Sequence, residues 1–307
     1  MKARRLLAGV AKLTAELGRA SDPDELLAAL LDGLRVHFGF EHTLLMLVDE
    51  PRQSLFTLAT RGFTPSGVGS EQKIGEGVWG KVAERRAPLR IVAMRRELMY
   101  ARTVRDVAQR AGDERLTREI ALPGLPEIES ILAIPIVSGN DLLGVIGAQS
   151  PTALAFDVDD ENALTAIAVA VVQRIGELRV TEDTSAEESV ASPSEASSSG
   201  HARIVRYYRA DDSIFVDHDY VIKGLPGRIL WTLLGEHATG RTTFSNKELR
   251  VNPALKLSII RDNLESRLIL LRSRLDEKAC GIRLTKRGRG QFGIEVSGPL
   301  QLIEVEG

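Results

Sequence analysis

The sequence predicts an α+β protein of two separately folding units, and three observations carry that expectation. Stretches with apolar residues at helical spacing are interleaved with short runs that alternate with period two along the 307 residues. Residues Thr181 to Gly200 (TEDTSAEESVASPSEASSSG) hold five acids, seven serines, no basic residue and no aromatic ring. Such a composition cannot bury enough surface to offset the entropy of ordering, so it predicts a disordered acidic linker over 181–200. Charge also divides at this segment. The overall balance of 40 basic and 42 acidic residues, net -2, conceals a net of +5 over 201–307, where 18 basic residues meet 13 acidic ones. The expected units are therefore 1–180 and 201–307.

Composition excludes several classes. At 43% hydrophobic residues the chain has ample material for buried cores. Cys280 is the single cysteine, which excludes a disulfide framework, an all-protein iron–sulfur site and a CxxC redox pair, and points to a reducing, cytoplasmic setting. No run approaches the ~18 apolar residues of a membrane span, so no membrane partner is expected. The stretch from Met1 to Leu17 is basic and amphipathic, with no small-residue cleavage site.

In the first unit Leu6, Val10, Leu13 and Leu17 fall on one stripe of a helix. A second helix is predicted from Ser21 as N-cap, with Pro23 in its first turn, to about Phe38 before Gly39. His42–Val48 and Leu55–Thr60, separated by DEPRQS, read as an antiparallel hairpin. VWGKVAERR is a short helix after Gly75–Gly77 and leads to a strand at 88–92. A long basic stretch runs from Ala93 to Glu129. Ile131–Val137 and Leu142–Gln149 are strands joined by Ser138-Gly139-Asn140-Asp141, and a last helix over about 157–178 carries Leu164, Ile167, Val171, Ile175 and Leu178 on one stripe.

This order of elements, with IGEGVWGKVAERRAPLRI at 74–91, SILAIPIVSGNDLLGVIGAQSP at 130–151 and AFDVDDENALTAIAVAVVQRI at 155–175, resembles a GAF domain. The resemblance implies an antiparallel sheet flanked by helices, a pocket roofed by the segment between the third and fourth strands, and a role in small-molecule sensing or in dimerisation through the first and last helices. Thioether-linked bilins and methionine sulfoxide reductase chemistry both need cysteines in the domain, and Cys280 lies outside it. The Asn-Lys-Phe-Asp-Glu signature of cyclic-nucleotide binders is not apparent.

The roof segment holds Arg95, Arg96, Arg102, Arg105, Arg110, Arg115 and Arg118. These could bind a carboxylate or phosphate bidentately, or form the solvated face of an amphipathic helix. Trp79, Arg95, Tyr100 and Arg102 are the candidate ligand residues, for a small molecule whose identity stays open. Trp79 also suits plain core packing beside Val78 and Val82. His37 and His42 have no partner at ligand spacing, so neither metal nor haem is expected. No cofactor is expected.

The second unit opens with strands over 203–210, 213–216 and 220–222. A helix follows at about Pro226–Glu236, and a second begins at Ser245, with Glu248 completing a capping box. A third is predicted over about 258–277, with Leu264, Leu268, Leu271 and Leu275 as its buried stripe. GIRLTKRGRGQFGIEV at 281–296 alternates as two strands around a basic, glycine-turned tip. Three helices followed by a basic hairpin resemble the winged helix-turn-helix domain of OmpR-type response regulators, though the second helix and RVNPALKLS depart from the usual wording. The resemblance implies double-stranded DNA as partner, with RNA polymerase as a further one.

Major-groove reading needs polar or cationic side chains on an exposed helix face. Arg261, Asn263, Ser266 and Arg267 are expected there, with Asn263, Ser266 and Arg267 on base edges. Arg272 and Arg274, with Lys286, Arg287 and Arg289 at the hairpin tip, are expected on phosphates. No catalytic motif is present, so the protein is not expected to be an enzyme. The sequence thus predicts a cytoplasmic, homodimeric, DNA-binding transcription regulator. The alternative is a signalling or scaffold protein whose two units mediate dimerisation and protein–protein contacts.

Overall fold

The structure, a computed structural model, describes residues 2–93, 120–184, 202–255, 264–288 and 290–306. The chain divides into two units, Met1–Arg179 and Val180–Gly307. Arg95, Tyr100, Arg102, Arg261, Asn263 and Arg289 lie outside the described residues, as does the linker from 185 to 200.

In the first unit helix α1 (Lys2–Arg19) packs its Leu6, Gly9, Leu13 and Leu17 stripe against α2 (Pro23–Gly33) and the π-helical turn Leu34–Phe38 that ends at Gly39. The cap of α2 is Asp22, one residue beyond Ser21. The Asp22 carboxylate accepts from the amides of Asp24 and Glu25, and Ser21 instead donates its amide and hydroxyl to Glu25. Two adjacent capping residue types compete here, and the carboxylate takes the helix-dipole position.

Six strands follow: β1 (His42–Asp49), β2 (Ser54–Arg61), β3 (Glu71–Lys73), β4 (Leu89–Ile91), β5 (Ser130–Ser138) and β6 (Asp141–Ser150). They form one antiparallel sheet in the order β3-β2-β1-β6-β5-β4. Both faces of this sheet are covered, so β1 is buried continuously from Thr43 to Leu47, and its apolar run shows no half-exposed alternation. Helix α3 (Gly77–Arg85) lies against β2, β3, β5 and β6. Helix α4 (Val158–Thr184) buries Leu164, Ile167, Val171 and Leu178, and it extends into the first four residues of the segment expected to be linker.

Helices α1 and α4 run parallel and are tied at both ends. Lys2 Nζ sits 2.6 Å from Asp157 and 2.7 Å from Asp160, and Arg174 donates to the carbonyl of Ala20. The Lys2 hydrogen bond, aided by the amide of Asp160, holds the Asp157 carboxyl down at about 2 against the opposing effect of burial.

The second unit begins with a meander, β7 (Arg203–Tyr208), β8 (Ser213–Val216) and β9 (Asp219–Ile222). To it the C-terminal strand β13 (Leu300–Val305) adds in parallel, giving the order β13-β7-β8-β9. Its helices are α5 (Leu225–Ala238), α6 (Asn246–Val251) and α7 (Leu264–Lys278). Strands β11 (Ile282–Gly288) and β12 (Gln291–Val296) form the hairpin, joined on the β12 side by β10 (Thr243–Ser245).

One joint fixes the meander to α5. Gly227 passes so close that a Cβ there would lie 1.9 Å from the carbonyl oxygen of Asp212. The buried Asp212 carboxylate takes a two-pronged grip from Arg228 at 2.5 and 3.2 Å and the hydroxyl of Tyr207 at 2.5 Å, while the Tyr207 ring stacks on Trp231. Burial, reinforced by the neighbouring Asp212 carboxylate, pushes the Tyr207 phenol up to about 12.

Candidate functional site

The α3 face of the first sheet follows from strand register. Leu44 and Met46 of β1, Leu55 of β2, Ile131 and Ala133 of β5 and Val145 of β6 point to one side, where they meet Trp79, Val82 and Ala83 of α3 with Phe63 and Ile128. Trp79 is 5% exposed. Its ring lies on the backbone of β6, since a Cβ on Gly147 would come within 2.2 Å of Cζ3 and 2.7 Å of Cη2. Of the four expected ligand residues it alone is described, and it occupies the core.

Polar groups interrupt this face at two places, beside His42 and opposite Met46. His42 sits edge-on to Phe63 with ring centres 5.6 Å apart. The buried Gln149 accepts from the amide of Leu125 at 3.1 Å and donates to the carbonyl of Pro123 at 3.4 Å. Thr57 and Ser70 share a buried hydroxyl hydrogen bond of 2.8 Å. The other histidine, His37, meets Glu16 at 2.9 Å on the helical side. Among the described residues no group of three or more histidine, cysteine or acidic side chains could hold a metal ion. Sequence reasoning missed Gln149, Thr57 and Ser70. The signal for Gln149 lay in Val145, Gly147 and Gln149, a period-two row that turns polar at its end.

A profile described as "GAF domain" matches residues 20–175, just over half of the chain. The chain belongs to the GAF domain family. A GAF domain is a sensing and regulatory domain, and the curled antiparallel sheet with its flanking helices is the architecture expected of one. No curated protein matches this chain.

Among solved structures, the GAF domain of a phosphoenolpyruvate-protein phosphotransferase from Coxiella burnetii is 20% identical. It covers 60% of this chain and 99% of its own, with a TM-score of 0.45. A free methionine-R-sulfoxide reductase from Neisseria meningitidis in complex with its substrate is 19% identical, covering 59% and 94% with a TM-score of 0.46. The corresponding Staphylococcus aureus reductase with substrate is 16% identical, covering 55% and 95% with a TM-score of 0.40. No helix among the described residues is long and apolar enough to cross a membrane.

Outside the GAF domain, the candidate residues of the second unit are placed unevenly. Ser266, Arg267 and Arg274, expected on exposed turns of a helix, are only 8%, 6% and 4% exposed. The reason is that α7 is buried around most of its circumference, with Ile269 and Leu270 inside as well as Leu264, Leu271 and Leu275. Arg274 spans to the sheet, donating to the carbonyl of Val221 at 3.1 Å and pairing with Glu277 at 2.6 Å. Arg272 and Leu268 are half-buried, and Leu268 thus leaves the stripe expected to be fully buried. The helix's outward arc carries Leu268, Arg272 and Asp276.

The hairpin tip faces outward. Lys286 and Arg287 are exposed, and Arg287 stands 3.5 Å from Glu295 on the adjoining strand. The predicted capping box at α6 is present, with Ser245 and Glu248 satisfying each other's amides at 3.0 and 3.2 Å. Burial works to raise the Glu248 carboxyl, yet the Ser245 donors and Arg241 outweigh it and hold the group below its ordinary value. Cys280 is buried, and burial pushes its thiol up, away from thiolate chemistry.

Proposed function

We propose that the protein is a dimeric, non-enzymatic transcription regulator of the cytoplasm, in which the GAF domain takes the input and the second unit binds duplex DNA as a winged helix. The observation that carries this reading is the glycine-turned hairpin β11–β12, which follows three helices and presents the exposed cations Lys286 and Arg287 at its tip. A cationic hairpin of this kind suits phosphates at a groove edge. Arg272 on α7 would extend the contact. RNA polymerase is a further proposed partner.

Two seams support the homodimer. On α1 the exposed residues Leu7, Ala11, Thr14 and Gly18 recur at four, three and four. On α4 Asn162, Ala166, Val169, Gln173 and Gly176 recur at four, three, four and three. Both seams are free of charge, with Leu7 71% and Val169 53% exposed. Spacing of this kind suits knobs-into-holes pairing with a second pair of helices.

The test is anisotropy with mixed-sequence duplexes across a range of salt concentrations. The double substitution Lys286→Glu/Arg287→Glu is expected to flatten the slope of log affinity against log salt by about two, one for each phosphate that is no longer neutralised. An unaltered slope, or no salt-sensitive binding by the parent protein, would defeat the reading. One feature favours the alternative of a protein-docking unit. Asp276 lies exposed on the outward arc of α7, and a carboxylate there disfavours phosphate. Salt-insensitive capture of a protein partner that depends on Asp276 would support that alternative.

A further inference from the structure

We propose that Asn246 and Glu265 are positioning residues that lock the hairpin tip and helix α7 into one register, so that the two meet a duplex as a single surface. The proposal rests on the duplex-binding reading above. Asn246 is the first residue of α6, and the amide of a first helical residue has no partner within its own helix. Here it donates to the carbonyl of Gly290 at the hairpin tip, 2.8 Å away. One step before, Ser245 pairs across the sheet with Gln291.

The side chain of the same residue points the other way. Asn246 Nδ2 donates to Glu265 Oε1 at 3.2 Å, at the beginning of α7. That oxygen also takes Arg250 from the far end of α6 at 2.6 Å, and the Glu265 side chain is largely buried. Helix α6 therefore works as a spacer: its first amide holds the hairpin, and its Asn246 and Arg250 side chains hold α7. Separate groups of one residue serve the two connections, so the side-chain link can be cut alone and the amide link read from the difference between two variants.

Asn246→Pro removes the amide donor together with the side-chain link to Glu265, and leaves the helix start intact. Proline is accommodated at the first helical position, and Ser245, at φ -121° and ψ 152°, already has the extended conformation that a following proline requires. Asn246→Ala removes only the link to α7, and Glu265→Gln weakens both side-chain links while keeping the shape. The experiment is amide hydrogen exchange over 282–296 and 264–278 in the full chain, with duplex anisotropy on the same samples and thermal melts to confirm folding.

In Asn246→Pro the hairpin is expected to exchange roughly fivefold faster, the opening expected on removing one hydrogen bond, and the start of α7 to loosen as it does in Asn246→Ala. In Asn246→Ala the start of α7 is expected to loosen while the hairpin does not. Asn246→Ala should bind duplex roughly fivefold more weakly and Asn246→Pro at least as weakly, with the salt slope of the parent. Hairpin exchange in Asn246→Pro equal to the parent's overturns the lock. Faster exchange with unchanged duplex affinity overturns its role in binding. Should the proline variant fail to fold, Asn246→Ala and Glu265→Gln decide the α7 half by the same two readouts. A parent protein that binds no duplex sinks the DNA reading, while the exchange arm still decides whether the lock exists.

Discussion

Substituting Gly147 by alanine separates two accounts of the GAF core by sign. Glycine inside a strand costs roughly 0.5–1 kcal/mol relative to alanine, so at an open position Gly147→Ala would stabilise the domain by about that much. In the structure the new methyl group would come within 2.2 Å of Trp79 Cζ3 and 3.0 Å of the carbonyl oxygen of Leu132. Normal carbon–carbon contact is nearer ~3.5–4.0 Å. The ring would have to slide by more than an ångström in a core that includes Leu44, Met46 and Val145, and overpacking of this kind costs about 1–3 kcal/mol. The net expectation is a destabilisation of about 1 kcal/mol, or roughly 2–4 °C in the melting temperature of a domain this size. Trp79 fluorescence in a Trp231→Phe background reports this domain alone. A Gly147→Ala protein as stable as its parent, or more so, would refute the packing of Trp79 on β6.

Two further expectations concern charge. Asp212→Asn leaves the half-buried Arg228 without its counter-charge and is expected to destabilise the second unit by about 3–5 kcal/mol, measured by urea denaturation followed at Trp231. Because the Tyr207 phenol is raised to about 12, its contribution is present below the ordinary value of 10 and disappears as pH rises through 12; ultraviolet titration of Asp212→Asn should show this phenol ionising at lower pH, and an unmoved titration would contradict the contact. Asp157, lowered from 3.8 to about 2, stabilises the docking of α1 above pH 4, and that contribution disappears as pH falls from about 4 to 2. Its side chain is about half exposed, so the effect is discounted to under about 1 kcal/mol. Lys2→Gln should flatten this acid dependence in a melting series, and an identical pH profile in both proteins would count against the ion pair.

Much of the local structure was legible because it depends on neighbours in the chain. The stripes of α1 and α4, the β5–β6 hairpin with its two-residue Gly139-Asn140 turn, and the Ser245–Glu248 box all join residues of short sequence separation. Strands β3, β10 and β13 went unread for the opposite reason. Each is three to six residues long and has no periodic signal of its own, and each exists because a distant strand offers it hydrogen bonds. The same limit applies to Arg267 and Arg274. Spacing placed them off the leucine stripe, but Arg274 reaches Val221, 53 residues away in sequence, and its burial could be known only once β9 was set beside α7.

Periodicity, capping and turn chemistry act over a few residues. They suffice for the two α+β units, for the GAF order of elements in the first, and for the basic glycine-turned hairpin that closes the helices of the second. Packing alone put Trp79 on the face where a ligand residue was expected, drew two of the candidate arginines inside, and made Asn246 the join between hairpin and helix. Those outcomes depend on which backbone atoms approach within hydrogen-bonding or van der Waals distance once the elements are assembled, and no local pattern encodes that distance.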